Sequence, residues 1–103
     1  MNNAIRVGST PINTFEIPYK ADQVKDIEII YRQGGKEKIL KKKRDVEILD
    51  YLAKVRLSQE DTFNLDDGVK VQIQLRVKDN QDDVVPSEII VTTVEECLFE
   101  EVF

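Results

Sequence analysis

The sequence has no histidine, no tryptophan and a single cysteine, Cys97. Each absence removes a chemistry. Without histidine the commonest general base and the commonest metal ligand are gone. One cysteine and no histidine cannot build a usual zinc site, and no Ser/His or Cys/His nucleophile–base pair can be assembled. A lone cysteine makes no internal disulfide. A reactive thiolate wants a cation or a helix N-terminus beside it, whereas Cys97 lies between Glu95–Glu96 and Glu100–Glu101, which reads as a small packing residue. Four glycines and three prolines are too few for long flexible linkers. No apolar run approaches the ~18 residues needed to span a bilayer. The stretch Met1–Arg6 lacks the charged-then-apolar plan of a secretory signal. The expectation is a chain made and folded in a cytoplasm, with no membrane partner.

What is present fits one globular domain over residues 1–103. Hydrophobic residues make up 41% and charged residues 34%. A chain of this length buries roughly 65% of its unfolded surface, enough for one sheet-on-sheet core. The net charge is −5, and its distribution says more than its size. Asp79, Asp82, Asp83, Glu88, Glu95, Glu96, Glu100 and Glu101 occupy the last quarter, which holds no Lys or Arg. All 15 basic residues lie before it. The body and the C-terminal quarter carry opposite charge.

Val69 to Lys78 gives the clearest local pattern. Val69, Val71, Ile73, Leu75 and Val77 alternate with Lys70, Gln72, Gln74, Arg76 and Lys78, a strand with one dry and one wet face. Val24 to Gln33 places Ile27, Ile29 and Tyr31 on one face, and Gly34–Gly35 permits a tight primed turn into a return strand over Lys36–Lys42. That return strand buries only Ile39 or Leu40, and its lysines suit a sheet edge. Shorter strands follow from Asn13–Ile17, Asp45–Leu49, Ala53–Leu57 and Ser87–Val94, the last with Ile89, Val91 and Thr93 on one face. Ser58 and Asp61 have capping-box spacing, which predicts one helical turn over Ser58–Phe63. About seven short strands separated by turns predict an all-β, antiparallel two-sheet sandwich of immunoglobulin-like kind, with a small barrel as the alternative. The segment Val94–Phe103 repeats apolar residues four apart. It fits a two-turn helix or an extended arm, packed on its own domain or on a neighbouring subunit.

Three constellations carry candidate chemistry. Asp79–Asn80–Gln81–Asp82–Asp83 resembles the opening of a calcium loop, but no glycine follows Gln81 and Ile90 stands at the twelfth position, so a turn with solvated acids is the expectation and no cofactor is assigned. The 20 acids could supply a carboxylate pair, yet they sit in turns and on polar strand faces, so no enzyme is expected. Lys36, Lys38, Lys41, Lys42, Lys43 and Arg44 against Glu37 give +5 over nine residues. Such a run can neutralise phosphates, but it lacks interleaved aromatics for stacking bases, and the chain as a whole is acidic. A solvated edge or a patch meeting an acidic protein surface fits better. The acidic tail of a second copy is one such surface.

Four segments are familiar as a set: Ile5–Pro11 leading to Phe15–Pro18, then Leu57–Phe63, then Val71–Val77, and finally Glu95–Phe103. Together they resemble small structural-type proteins encoded in phages and prophages of Gram-positive bacteria, gut species included. The resemblance runs nearly end to end and implies a virion structural or accessory component, in head, tail or baseplate, that meets other virion proteins and brings no catalytic residues. Lys36–Arg44 is more basic than that group's pattern, so the resemblance assigns it no role. The expected function is non-enzymatic, acting through protein–protein contacts and open to homo-oligomerisation. The candidate contact residues are Lys36, Lys38, Lys41, Lys42, Lys43 and Arg44, with Leu98, Phe99, Val102 and Phe103 of the tail. The alternatives are an adhesion or carbohydrate-binding module, and a small nucleic-acid-binding regulator using residues 36–44.

Overall fold

A computed structural model describes residues 4–103, and among these the chain forms ten strands, one short α-helix and two single 3-10 turns at Ala21–Gln23 and Lys43–Asp45. Met1, Asn2 and Asn3 of the N-terminal stretch read above lie outside the described residues. In chain order the elements are β1 (Ile5–Arg6), β2 (Ile12–Glu16), β3 (Val24–Gln33), β4 (Lys36–Lys41), β5 (Val46–Leu49), β6 (Leu52–Arg56), α1 (Gln59–Phe63), β7 (Val71–Asp79), β8 (Val84–Pro86), β9 (Ile90–Thr92) and β10 (Val94–Glu95). Among the described residues no helix is long and apolar enough to cross a membrane.

The strands form mostly antiparallel sheets. One runs β2–β6–β5 and a larger one β4–β3–β7–β8, with β9 also paired to β7. Alternation decides which side of each strand is dry. Phe15, Ala53 and Val55 from the first sheet and Ile27, Ile29, Tyr31, Val71, Ile73, Leu75 and Val77 from the second meet in a single buried cluster. The two sheets therefore close over one core in a sandwich-like, all-β arrangement. The β3–β4 hairpin turns on Gly34 and Gly35, at φ 55° and 78°, where a residue with a Cβ would be strained. Its return strand lies at the edge of its sheet, with Ile39 buried and Leu40 partly exposed. Ser58 caps α1: its hydroxyl accepts from the Asp61 N–H at 3.0 Å, and the Asp61 carboxylate accepts from the Ser58 N–H at 2.8 Å.

Two sequence expectations need correction, and one choice left open is settled. Val69 lies outside β7 and is exposed. Its carbonyl accepts from the Gln33 side-chain amide at 3.0 Å, and that buried side chain also bonds the N–H and the carbonyl of Asp66 at 2.8 Å each. A side chain thus takes the hydrogen bond that would have extended the ladder. The predicted strand Ser87–Val94 is broken. Ser87 replaces a ladder partner with its own hydroxyl, which accepts from the Leu75 N–H at 3.0 Å. The chain rejoins β7 at Ile90 in the other phase, so Ile89 and Val91 face solvent and Ile90 faces the core. Proline stands at the end of the unpredicted β8, and on such an outlying strand its missing N–H costs little. No helix forms over Val94–Phe103. Val94–Glu95 pairs in parallel with Ile5–Arg6, and a short helix beyond it has nothing to pack on.

Candidate functional site

The C-terminal segment is anchored at its base and bare at its tip. At the base, the Ile5 N–H donates to the Thr93 carbonyl and the Val7 N–H to the Glu95 carbonyl, each at 3.0 Å. The Gly68 N–H donates to the Val94 carbonyl at 3.0 Å. The Arg6 guanidinium adds an ion pair to Glu95 at 2.7 Å and a hydrogen bond to the Glu96 carbonyl at 2.6 Å. Val94 is buried in the main core.

Beyond Glu96 the chain has no regular structure. It folds back across α1, where the Phe103 N–H donates to Gln59 Oε1 at 3.0 Å. The Gln59 amide in turn donates to the Gly8 carbonyl at 3.1 Å. Gly8 has φ 81°, and a Cβ there would stand 2.9 Å from the Phe63 ring, so only glycine lets the ring lie this close to the backbone. A cleft of about 460 Å³ is lined by Gly8, Gln59 and Phe63 together with Cys97, Phe99 and Phe103. The returning chain does not hide its apolar side chains. Leu98 is 91% exposed, Phe99 78% and Val102 52%, and Phe103 is fully exposed. Four large apolar side chains over six residues, interrupted by Glu100 and Glu101, are thus exposed on one short segment, and exposed apolar clusters are a feature of interaction sites.

The basic segment is dispersed by its own strand geometry. Tyr31 pairs with Ile39 and Ile29 with Lys41, so Lys41 lies on the inner side of β4, while Leu40 points outward. Lys41 bonds Asp61 at 2.7 Å, with both side chains mostly buried. Lys38 reaches Asp66 at 3.3 Å, and Lys42 pairs with Glu28. Lys43 donates to the carbonyls of Val24 and Lys25 at 3.4 and 3.1 Å. Lys36 and Arg44 stand exposed at opposite ends of the run. The structure thus gathers Leu98, Phe99, Val102 and Phe103 on one arm and parts the six cations.

Electrostatics follow these pairings. Burial pushes the Asp61 carboxyl up, but the Lys41 ammonium and the Ser58 N–H more than offset it and hold the group below the usual carboxylate range. Lys42 and then Arg76 hold Glu28 down in the same way. Burial pushes the Tyr31 phenol up, with the Asp61 charge adding to it, and among the described residues its hydroxyl finds no hydrogen-bond partner. Asp79 uses its carboxylate as turn chemistry, accepting from the Gln81 and Asp83 N–H groups at 2.9 and 3.0 Å. Among the described residues no group of three His, Cys, Asp or Glu gathers to hold a metal ion.

One surface escaped the sequence reading. On the outer face of the larger sheet a groove of about 520 Å³ is lined by Ile30, Leu40, Val84 and Pro86, with Lys42 and Arg76 and the acids Glu28 and Glu37 beside them. Its signal was present: Ile30 and Leu40 are apolar in the phase that should be wet, and they pair directly across β3 and β4. No protein-family model matches the chain, and comparison with curated proteins and with solved structures gives no match.

Proposed function

We propose that this chain is a non-enzymatic structural or accessory component of a phage particle, in head, tail or baseplate, that works through protein–protein contacts. In this reading the two sheets are an immunoglobulin-like sandwich, and the C-terminal arm is the contact element. The observation that carries it is the set of exposed Leu98, Phe99, Val102 and Phe103 on a base fixed by β1 and by Arg6. Apolar side chains held out from a rigid support favour binding, because little of the support must be ordered on contact. The nearly end-to-end resemblance of its segments to phage structural-type proteins suggests the setting. The ion pairs of Lys38, Lys41 and Lys42 weigh against a nucleic-acid role, since a paired cation contributes less to phosphate neutralisation.

Mass spectrometry of density-purified particles tests the reading. The protein is expected in particles in constant ratio to the other components. It should be lost from particles made with the arm variant Phe99→Glu/Phe103→Glu. Particles that contain none of the natural protein would rule the proposal out.

A further inference from the structure

We propose that the groove on the outer face of the larger sheet receives the C-terminal arm of a second copy, so that the chain associates head to tail. This rests on the arm being a contact element, and it names the partner and the receiving surface.

The groove offers what the arm lacks. Ile30 and Leu40 form its apolar floor from β3 and β4, and Val84 and Pro86 bound it from β8. The arm brings Leu98, Phe99, Val102 and Phe103. Two phenylalanines bury roughly 150–250 Å² each, so with leucine and valine the arm can cover roughly 600 Å². That approaches the ~800 Å² per partner of a standard interface.

Charge favours the same match. Lys42 and Arg76 both bind Glu28, with Arg76 Nε donating at 2.7 Å, and Glu37 also lines the groove, so its own lining is neutral and the positive balance belongs to the face around it. By strand alternation the whole outer face carries Arg32, Lys42, Arg76 and Lys78 against Asp26, Glu28 and Glu37. The arm is acidic throughout, and Glu100 and Glu101 sit between its apolar residues. Two arms meeting each other would set like charges together, which is unfavourable.

The arm's own copy is badly placed to fill the groove. Phe103 is held by Gln59 of α1, and α1 engages β4 through Asp61 and Lys41, on the inner side of that strand. The groove opens on the opposite side, with Leu40 and Lys42. Donor and acceptor are therefore different surfaces of one molecule. A contact of that kind is heterologous, and its repetition closes a ring or extends a stack.

Sedimentation of full-length variants tests this. The groove variant is Leu40→Glu/Val84→Glu, and the arm variant is Phe99→Glu/Phe103→Glu. All four side chains are at least a third exposed, so both variants should melt close to the natural chain. Should one fail to fold, Leu40→Ser or Phe99→Ser replaces it. The natural chain is expected to grow beyond dimers with concentration, and each variant alone to stay monomeric. Their equimolar mixture should form a one-to-one dimer and stop, since one arm and one groove remain. A natural chain monomeric at millimolar concentration overturns the proposal. So does a groove variant that associates as the natural chain does, although the arm reading survives if the arm variant is then monomeric. An arm variant that still associates removes both.

Discussion

β3 and the C-terminal arm use the same kinds of side chain and treat them in opposite ways. Ile27, Ile29 and Tyr31 of β3 are almost wholly removed from water, whereas Leu98, Phe99, Val102 and Phe103 lie in it. The difference is pairing. β3 has neighbours along both edges, β4 and β7, and a second sheet over its inner face. The arm has one paired strand at its base, with β1, and at its tip, among the described residues, a hydrogen bond from the Phe103 N–H to the Gln59 side chain. Apolar composition supplies a tendency to be covered. Whether the cover belongs to the same chain depends on what the topology brings alongside.

Replacing one residue in each region breaks the comparison most directly. Ile29→Ala empties a fully buried site and should cost roughly 3 kcal/mol. Phe99→Ala should stay within ~0.5 kcal/mol of the natural chain. Urea denaturation midpoints measure both. Equal losses would show that the arm belongs to the folded core.

A smaller effect sharpens the contrast between enclosed and open ion pairs. Asp61→Asn removes the partner of a mostly buried Lys41 and weakens the cap of α1. The expected loss is roughly 1–2 kcal/mol. Lys42→Met, at the more exposed pair with Glu28, should change stability by less than ~1 kcal/mol. Thermal melting of the two variants side by side is the measurement, and the reverse order would remove Asp61 from its place as a structural anchor.

The pH dependence is the gentlest probe. The carboxyls of Asp61 and Glu28 are held down by folding, so they favour the native state while ionised. That contribution is present above the unfolded carboxylate range and is lost as acid protonates them, below about pH 4. The Tyr31 phenol is pushed up, so its contribution is full below about pH 10 and fades as alkali ionises the unfolded chain. Urea midpoints should be flat between these limits. A fall already near pH 6 would point to a titrating group other than these three.

Much of the sheet structure was legible because period-two alternation is a local property. Val71, Ile73, Leu75 and Val77 declared their buried face without help from other segments, and Gly34–Gly35 declared the hairpin. The capping box of Ser58 and Asp61 was equally local. What stayed hidden depended on distant partners. Gln33 ends β7 at Val71 by bonding residues 66 and 69, more than thirty positions away. Ser87 shifts the phase of the following strand through Leu75. The arm repeats apolar residues four apart, which is necessary for a helix but not sufficient without a surface to lie on. At the candidate site, the four apolar arm residues were readable from composition. The scattering of residues 36–44 over two faces, by contrast, required the strand register. Ile30 and Leu40 needed only attention to residues out of phase.

The β1–β10 pair has a kinetic consequence. The Arg6–Glu95 contact spans 89 positions of sequence, and joining such remote segments means closing nearly the longest loop the chain contains. These two short strands should therefore zip last in refolding and exchange their amide protons first. Because the base of the arm is set by that closure, an incompletely folded molecule has no stable mount from which to offer it. Readiness to associate arrives with the final step of folding.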